Sequence, residues 1–124
     1  MLVNMWQLSN KTVMTMANDT LAGDLDIAAG TATFSAATTF RLGGVLRTRA
    51  AGGFSQTNAG SRVTVLGDVS FAGVTSTNIT NGILELEGNF TQGPTGSTNA
   101  FLASGAHTTL LSYGPGALRR TVSF

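Results

Sequence analysis

A glycine returns at positions 23, 44, 67 and 88, each time in the same setting: apolar, any residue, Gly, any residue, apolar. The flanking pairs are Leu21 and Leu25, Leu42 and Leu46, Val65 and Val69, and Leu86 and Phe90, so the spacing is 21, 23 and 21 residues. Between the markers run short alternating stretches such as Thr31–Phe34, Arg62–Val65 and Ile79–Leu84. Alternation of period two belongs to strands with one face in and one face out. A period of roughly 22 residues, holding two or three such strands and Gly/Asn turns, is one coil of a parallel β-solenoid.

This reading predicts one all-β domain over 1–124, of about five coils. Leu21, Leu42, Val65 and Leu86 should stack as one inward ladder, and Leu25, Leu46, Val69 and Phe90 as a second. Each marker glycine should sit at a bend where a Cβ would crowd the neighbouring coil, or at a bulge. Parallel strands lie ~4.8 Å apart, so five coils make a stub of roughly 24 Å. The alternative is a β-sandwich of hairpins, since short strands at this spacing, and the dipeptide Asn81-Gly82, fit that too. The near-constant period and the in-register ladders favour the solenoid.

Composition points the same way. Gly, Ala, Thr, Ser and Asn together make up 68 of the 124 residues, whereas Lys, Glu and Gln together number six. Such a chain cannot clothe the solvent face of several helices, yet at 42% hydrophobic it can build a core. The sequence has no Cys and one His, which removes disulfides, thiolate zinc sites and multi-histidine metal clusters. Six Arg and one Lys against six carboxylates offer no basic surface for nucleic acid. No apolar run approaches the ~18 residues of a membrane helix. The opening residues from Met1 show no positive n-region and no clean apolar h-region, so no signal peptide is expected there.

A solenoid usually hides its open strand edges under a helix, loop or polar coil. Here the text is strand-like near both ends: Trp6-Gln7-Leu8 and Val13–Met16 at one, Thr121–Phe124 at the other. The expectation is a stackable unit, or a piece of a longer array, that associates through its coil ends or with neighbouring solenoid coils. Residues 83–124 also carry Gly88-Asn89-Phe90-Thr91-Gln92, Phe101, Ala103-Ser104-Gly105, His107, Leu111, Gly114, Gly116 and a closing Thr121-Val122-Ser123-Phe124. This stretch resembles a recurrent segment of β-solenoid coils in large exported bacterial surface proteins. Tyr113 and Arg120 depart from that pattern, at a turn position and at one where an amide is common. The resemblance implies an extracellular or cell-surface module, structural or adhesive, and brings no catalytic residue with it.

Candidate chemistry is thin. Asp24, Asp68 and Asn89 follow marker glycines and should share a column. They could form a carboxylate row for calcium or sugar chemistry, but Asp and Asn after Gly more commonly bond backbone amides at a bend. Two coils separate the aspartates by ~9.6 Å, too far for one shared ion. Glu85 and Glu87, read as outward on one strand, are roughly 7 Å apart, a spacing glycosidases use within a cleft. Arg47 and Arg49 are expected on the same sheet, balancing them. His107 follows Ser104, which suggests a Ser–His couple, but no nucleophile elbow or orienting acid accompanies it, so a bond to a neighbouring turn is the stronger expectation. Thr-x-Thr at 31–33 and 75–77 skips coils and makes no regular array.

The leading expectation is therefore a non-catalytic structural or adhesive module with no cofactor and no metal. The alternative is a small glycan-binding or glycan-cleaving β-helix using His107, Glu85, Glu87, Asp24 or Asp68.

Overall fold

The computed structural model describes residues 5–8, 13–93, 99–112 and 122–123. The chain winds around three sides. Its first rung holds β1 (Met5–Leu8), β2 (Val13–Thr15) and β3 (Asp19–Leu21), one strand per side. In the second and third rungs the first two sides fuse into single 11-residue strands, β4 (Asp24–Phe34) and β6 (Leu46–Gln56). Those rungs close on side three with β5 (Thr39–Leu42) and β7 (Arg62–Val65). The fourth rung is β8 (Val69–Ala72), β9 (Ser76–Ile79) and β10 (Ile83–Leu86), and the fifth is β11 (Phe90–Gln92), β12 (Phe101–Ala103) and β13 (Thr108–Leu111). A sixth strand on side one, β14 (Val122–Ser123), pairs with β11.

All pairings among these strands are parallel, which a hairpin sandwich could not give. The molecule is a parallel β-solenoid. On side three Thr20, Arg41, Thr64, Glu85 and Leu110 lie level in successive strands, which is four full turns. Asn81-Gly82 makes no hairpin. It turns a corner, with Gly82 at φ +80°, and the chain continues into β10.

Both expected ladders exist. Leu21, Leu42, Val65 and Leu86 are register partners, as are Leu25, Leu46, Val69 and Phe90, and all eight are buried. Between them runs a column of rings. Phe34 lies 5.5 Å from Phe54, Phe54 5.8 Å from Phe71, and Phe71 4.8 Å from Phe101, centroid to centroid. Phe40 and Phe90 pack beside it, so six of the chain's seven phenylalanines form one core spine. Offset and edge-on ring contacts of this kind add to what area burial supplies.

The marker glycines do what the spacing required. A Cβ on Gly67 would stand 2.5 Å from the Gly44 carbonyl oxygen, and one on Gly88 2.2 Å from that of Gly67. Gly67 N–H donates to the Gly44 carbonyl at 3.0 Å, so the coils meet here backbone to backbone. Elsewhere the period slips. Ile27 pairs with Thr48 but Ala29 with Ala51, so β6 carries one extra residue there. Ala50 occupies the left-handed region at φ 51°, a bulge that redirects its neighbour Arg49.

The two ends of the stack differ. In the first rung Met16 and Leu21 are 2% and 1% exposed. In the fifth, Leu102 is 46%, Leu110 40% and Leu111 46% exposed, although Leu111 continues the buried column of Leu86.

Candidate functional site

The aspartate column forms as expected and serves the backbone. Asp24 Oδ1 accepts from Val45 N–H at 2.8 Å, and Asp68 Oδ1 from Asn89 N–H at 2.9 Å. Each carboxylate thus satisfies an amide of the next coil beside the glycine bend. Val45 separates the two aspartates in the column, and among the described residues no group of three or more His, Asp or Glu side chains is placed to hold a metal ion.

Glu85 and Glu87 do not form a pair on one strand. Glu85 lies on β10, whereas Glu87 falls past its end, in the bend before Gly88. Nor do Arg47 and Arg49 balance Glu85: they stand on side one, and Glu85 on side three. Its partner is Arg62, one coil below, whose Nε donates at 3.1 Å. Arg62's hydrogen bond holds the Glu85 carboxyl below the usual carboxylate range. That is the ionisation of a surface ion pair, opposite to what a general acid needs.

Arg47 and Arg49 instead close over Asp26, a group the sequence reading did not single out. Asp26 sits on the outer face of β4, level with Arg47, and its side chain is only 4% exposed. Arg49 donates from Nε at 3.0 Å to Oδ1 and from Nη2 at 2.9 Å to Oδ2. Arg47 Nε lies 3.4 Å from Oδ1 and acts by charge, without a directed hydrogen bond. Burial pushes the carboxyl up, but Arg49's hydrogen bonds and the two positive charges outweigh it and hold Asp26 below its ordinary value. The signal was hidden because the pairing joins residues 23 apart through a bulge at Ala50.

His107 bonds a neighbouring turn. Its Nδ1 lies 3.1 Å from the Asn81 carbonyl of the coil below, so that nitrogen carries the proton and donates. Nε2, 3.1 Å from Thr109 Oγ1, accepts. Its ring packs edge-on against Phe101 at 5.9 Å. Desolvation lowers its pKa, only partly opposed by the bond to Asn81. Both ring nitrogens are thus engaged by groups other than Ser104.

The outer face of side two is neutral. Thr31, Gly53, Ser55, Val74, Ser76 and Asn78 line a shallow notch there, with no charged residue among its lining. Thr31 is level with Gly53, while Thr77 falls level with Phe54 when counted back from the Gln56–Ile79 pair. The two Thr-x-Thr tripeptides are therefore one position out of phase. Tyr113, Gly114, Gly116, Arg120, Thr121 and Phe124 lie outside the described residues.

No carboxylate, histidine or hydroxyl of this set converges on a shared point. Among the described residues no helix is long and apolar enough to cross a membrane. Comparison with protein-family models, curated proteins and solved structures found no match to the chain.

Proposed function

We propose that this chain is a non-catalytic structural or adhesive module of a cell surface, joined to neighbouring solenoid coils or to its own copies through its coil ends. The observation that carries the reading is the column that runs to Leu111: an in-register apolar ladder whose last described member is 46% exposed. Among the described residues β13 pairs only with β10, so its far edge presents backbone N–H and C=O groups that another strand can satisfy. The titratable candidates support the non-catalytic half, since Asp24, Asp68, Glu85 and His107 are each engaged in holding coils together. The surface location rests on the resemblance of residues 83–124 to coils of exported bacterial proteins.

Sedimentation and electron microscopy over a concentration series test it. Mass should grow with concentration, and a chain that stays monomeric throughout overturns association. Turnover of a glycan that disappears on changing His107, Glu85, Glu87, Asp24 or Asp68 overturns the non-catalytic reading.

A further inference from the structure

Side two carries one glycine that its surroundings do not require. At Gly43, Gly44, Gly52, Gly67, Gly73 and Gly88 an added Cβ would come within 2.6 Å of backbone in the preceding coil. At Gly53 the nearest atoms all belong to side chains: Thr31 Oγ1 at 3.3 Å, a Val74 methyl at 3.5 Å and Ser76 Oγ at 3.8 Å. No positive φ holds the position to glycine either. A glycine within a strand weakens it, since it loses more freedom on folding and has no side chain to pack. What Gly53 provides is an opening. It stands level with Thr31 in the coil below and Ser76 in the coil above, and its missing side chain leaves the notch of the outer face.

The notch holds about 290 Å³, part of it open to solvent, and its walls have hydrogen bonds to give. Ser76 is 4% exposed; its Oγ accepts from Phe54 N–H at 3.0 Å, and its own proton goes to no described group. Ser55, also buried, donates to the Asn78 carbonyl at 3.2 Å and keeps its lone pairs. The Thr31 hydroxyl and the Asn78 side-chain amide have no partner among the described residues. A buried hydroxyl with an unspent proton is costly until something supplies an acceptor. We propose that this notch binds one ring of a neutral carbohydrate, a site on the flank of the stack that stands whether or not the coil ends associate. Its chemistry sets the class. No Arg, Lys, Asp or Glu lines it, so neither an anion nor a cation finds a counter-charge there. β6 is paired with β4 on one side and with β8 and β9 on the other, so no strand edge is open to an extended peptide. A sugar hydroxyl donates and accepts at once, as Thr31, Ser55, Ser76 and Asn78 require. Its C–H face can lie on Val74, which is exposed beside the opening. No titratable group lines the notch, so a bound ring is held and not cleaved.

The test titrates neutral tetrasaccharides of glucose, galactose, mannose or N-acetylglucosamine into dilute, isotope-labelled chain and follows the backbone amides by NMR. The amides of Gly53, Phe54 and Ser76 should shift with at least one of them, at a Kd of about 1 mM or below, as suits a contact with one ring. Gly53→Thr, which fills the opening, should weaken that binding about tenfold or more, with the β circular-dichroism spectrum kept. If Gly53→Thr does not fold, Thr31→Val decides. It keeps the shape of the opening but removes a hydroxyl, and should weaken binding about threefold or more. Undiminished affinity in the folded variant, or shifts that leave the notch amides unmoved, overturns the site. Sulfated or uronate tetrasaccharides that bind more tightly than every neutral one overturn the ligand class. No shift with any neutral sugar up to about 20 mM overturns the proposal as a whole. End association is read separately, by sedimentation without sugar, so the failure of either reading leaves the other standing.

Discussion

The first rung and the fifth have the same three-sided plan, yet one conceals its core residues and the other displays them. Leu21 and Leu111 occupy a single column, level with Leu42, Val65 and Leu86, and differ 46-fold in fractional exposure, 1% against 46%. Position in the stack, and not residue type, sets what a leucine contributes here. Both leucines stand at an end of the described column, so the contrast is between a covered end and an open one, and an apolar ladder is worth least where its end member lies open.

The interior should break hardest. Gly88→Ala drives a methyl group to 2.2 Å from the Gly67 carbonyl oxygen, backbone that cannot retreat without parting two coils. A loss above about 4 kcal/mol, or failure to fold, is expected in urea melts. Leu21→Ala should cost ~2–4 kcal/mol through the cavity it leaves, while Leu111→Ala, measured on dilute monomer, should cost under about 1 kcal/mol. Equal losses at the two leucines would dissolve the contrast between the rungs.

Acid separates the second rung from the fifth. Asp26 has a lowered folded pKa, so its contribution is present above the ordinary value of 3.8 and is lost as pH falls through the folded value. Asp26→Asn should lower stability by about 1–3 kcal/mol at neutral pH and remove that acid-sensitive step. His107 in the fifth rung is also lowered, so the folded state resists its protonation. Its contribution is complete above the ordinary 6.5 and lost as pH falls below it. The fifth rung should therefore loosen first on acidification, and a His107→Asn variant should show no such step between pH 7 and 5, followed by the Phe101 ring signals in NMR. The smallest effect is a gain. Ala50→Gly relieves the left-handed strain at φ 51° and should stabilise by about 0.5–1 kcal/mol, net of the greater freedom of glycine in the unfolded chain.

The repeating interior was legible because its signals are local and periodic. Marker glycines spaced by 21, 23 and 21 residues set the register, and the register set both ladders. The corner between sides one and two left no comparable trace, because β4 and β6 run through it as unbroken strands. The Asp26–Arg49 pair was illegible for a related reason: it depends on the extra residue at Ala50, which shifts the register after Ile27. The Glu85–Arg62 pair is hidden in the sequence because alternation tells in from out but does not say which of three sides a strand occupies. With no neighbouring acid in the sequence, a turn is the expected partner of His107, although only the fold names Asn81 as that turn.

The phenylalanine spine also governs how the molecule comes apart. Phe34, Phe54, Phe71 and Phe101 touch rings in their own coil or in the adjacent one, so among the described residues no ring ties one end of the stack to the other. An end coil can fray by releasing its rings from one neighbour, whereas opening the middle must part rings on both sides at once. Backbone amides should therefore exchange with solvent along a gradient, fastest at the fifth rung and slowest around β6 and β8. Refolding has no distant contact to wait for. Any two adjacent coils that find their register become the template on which the next is laid.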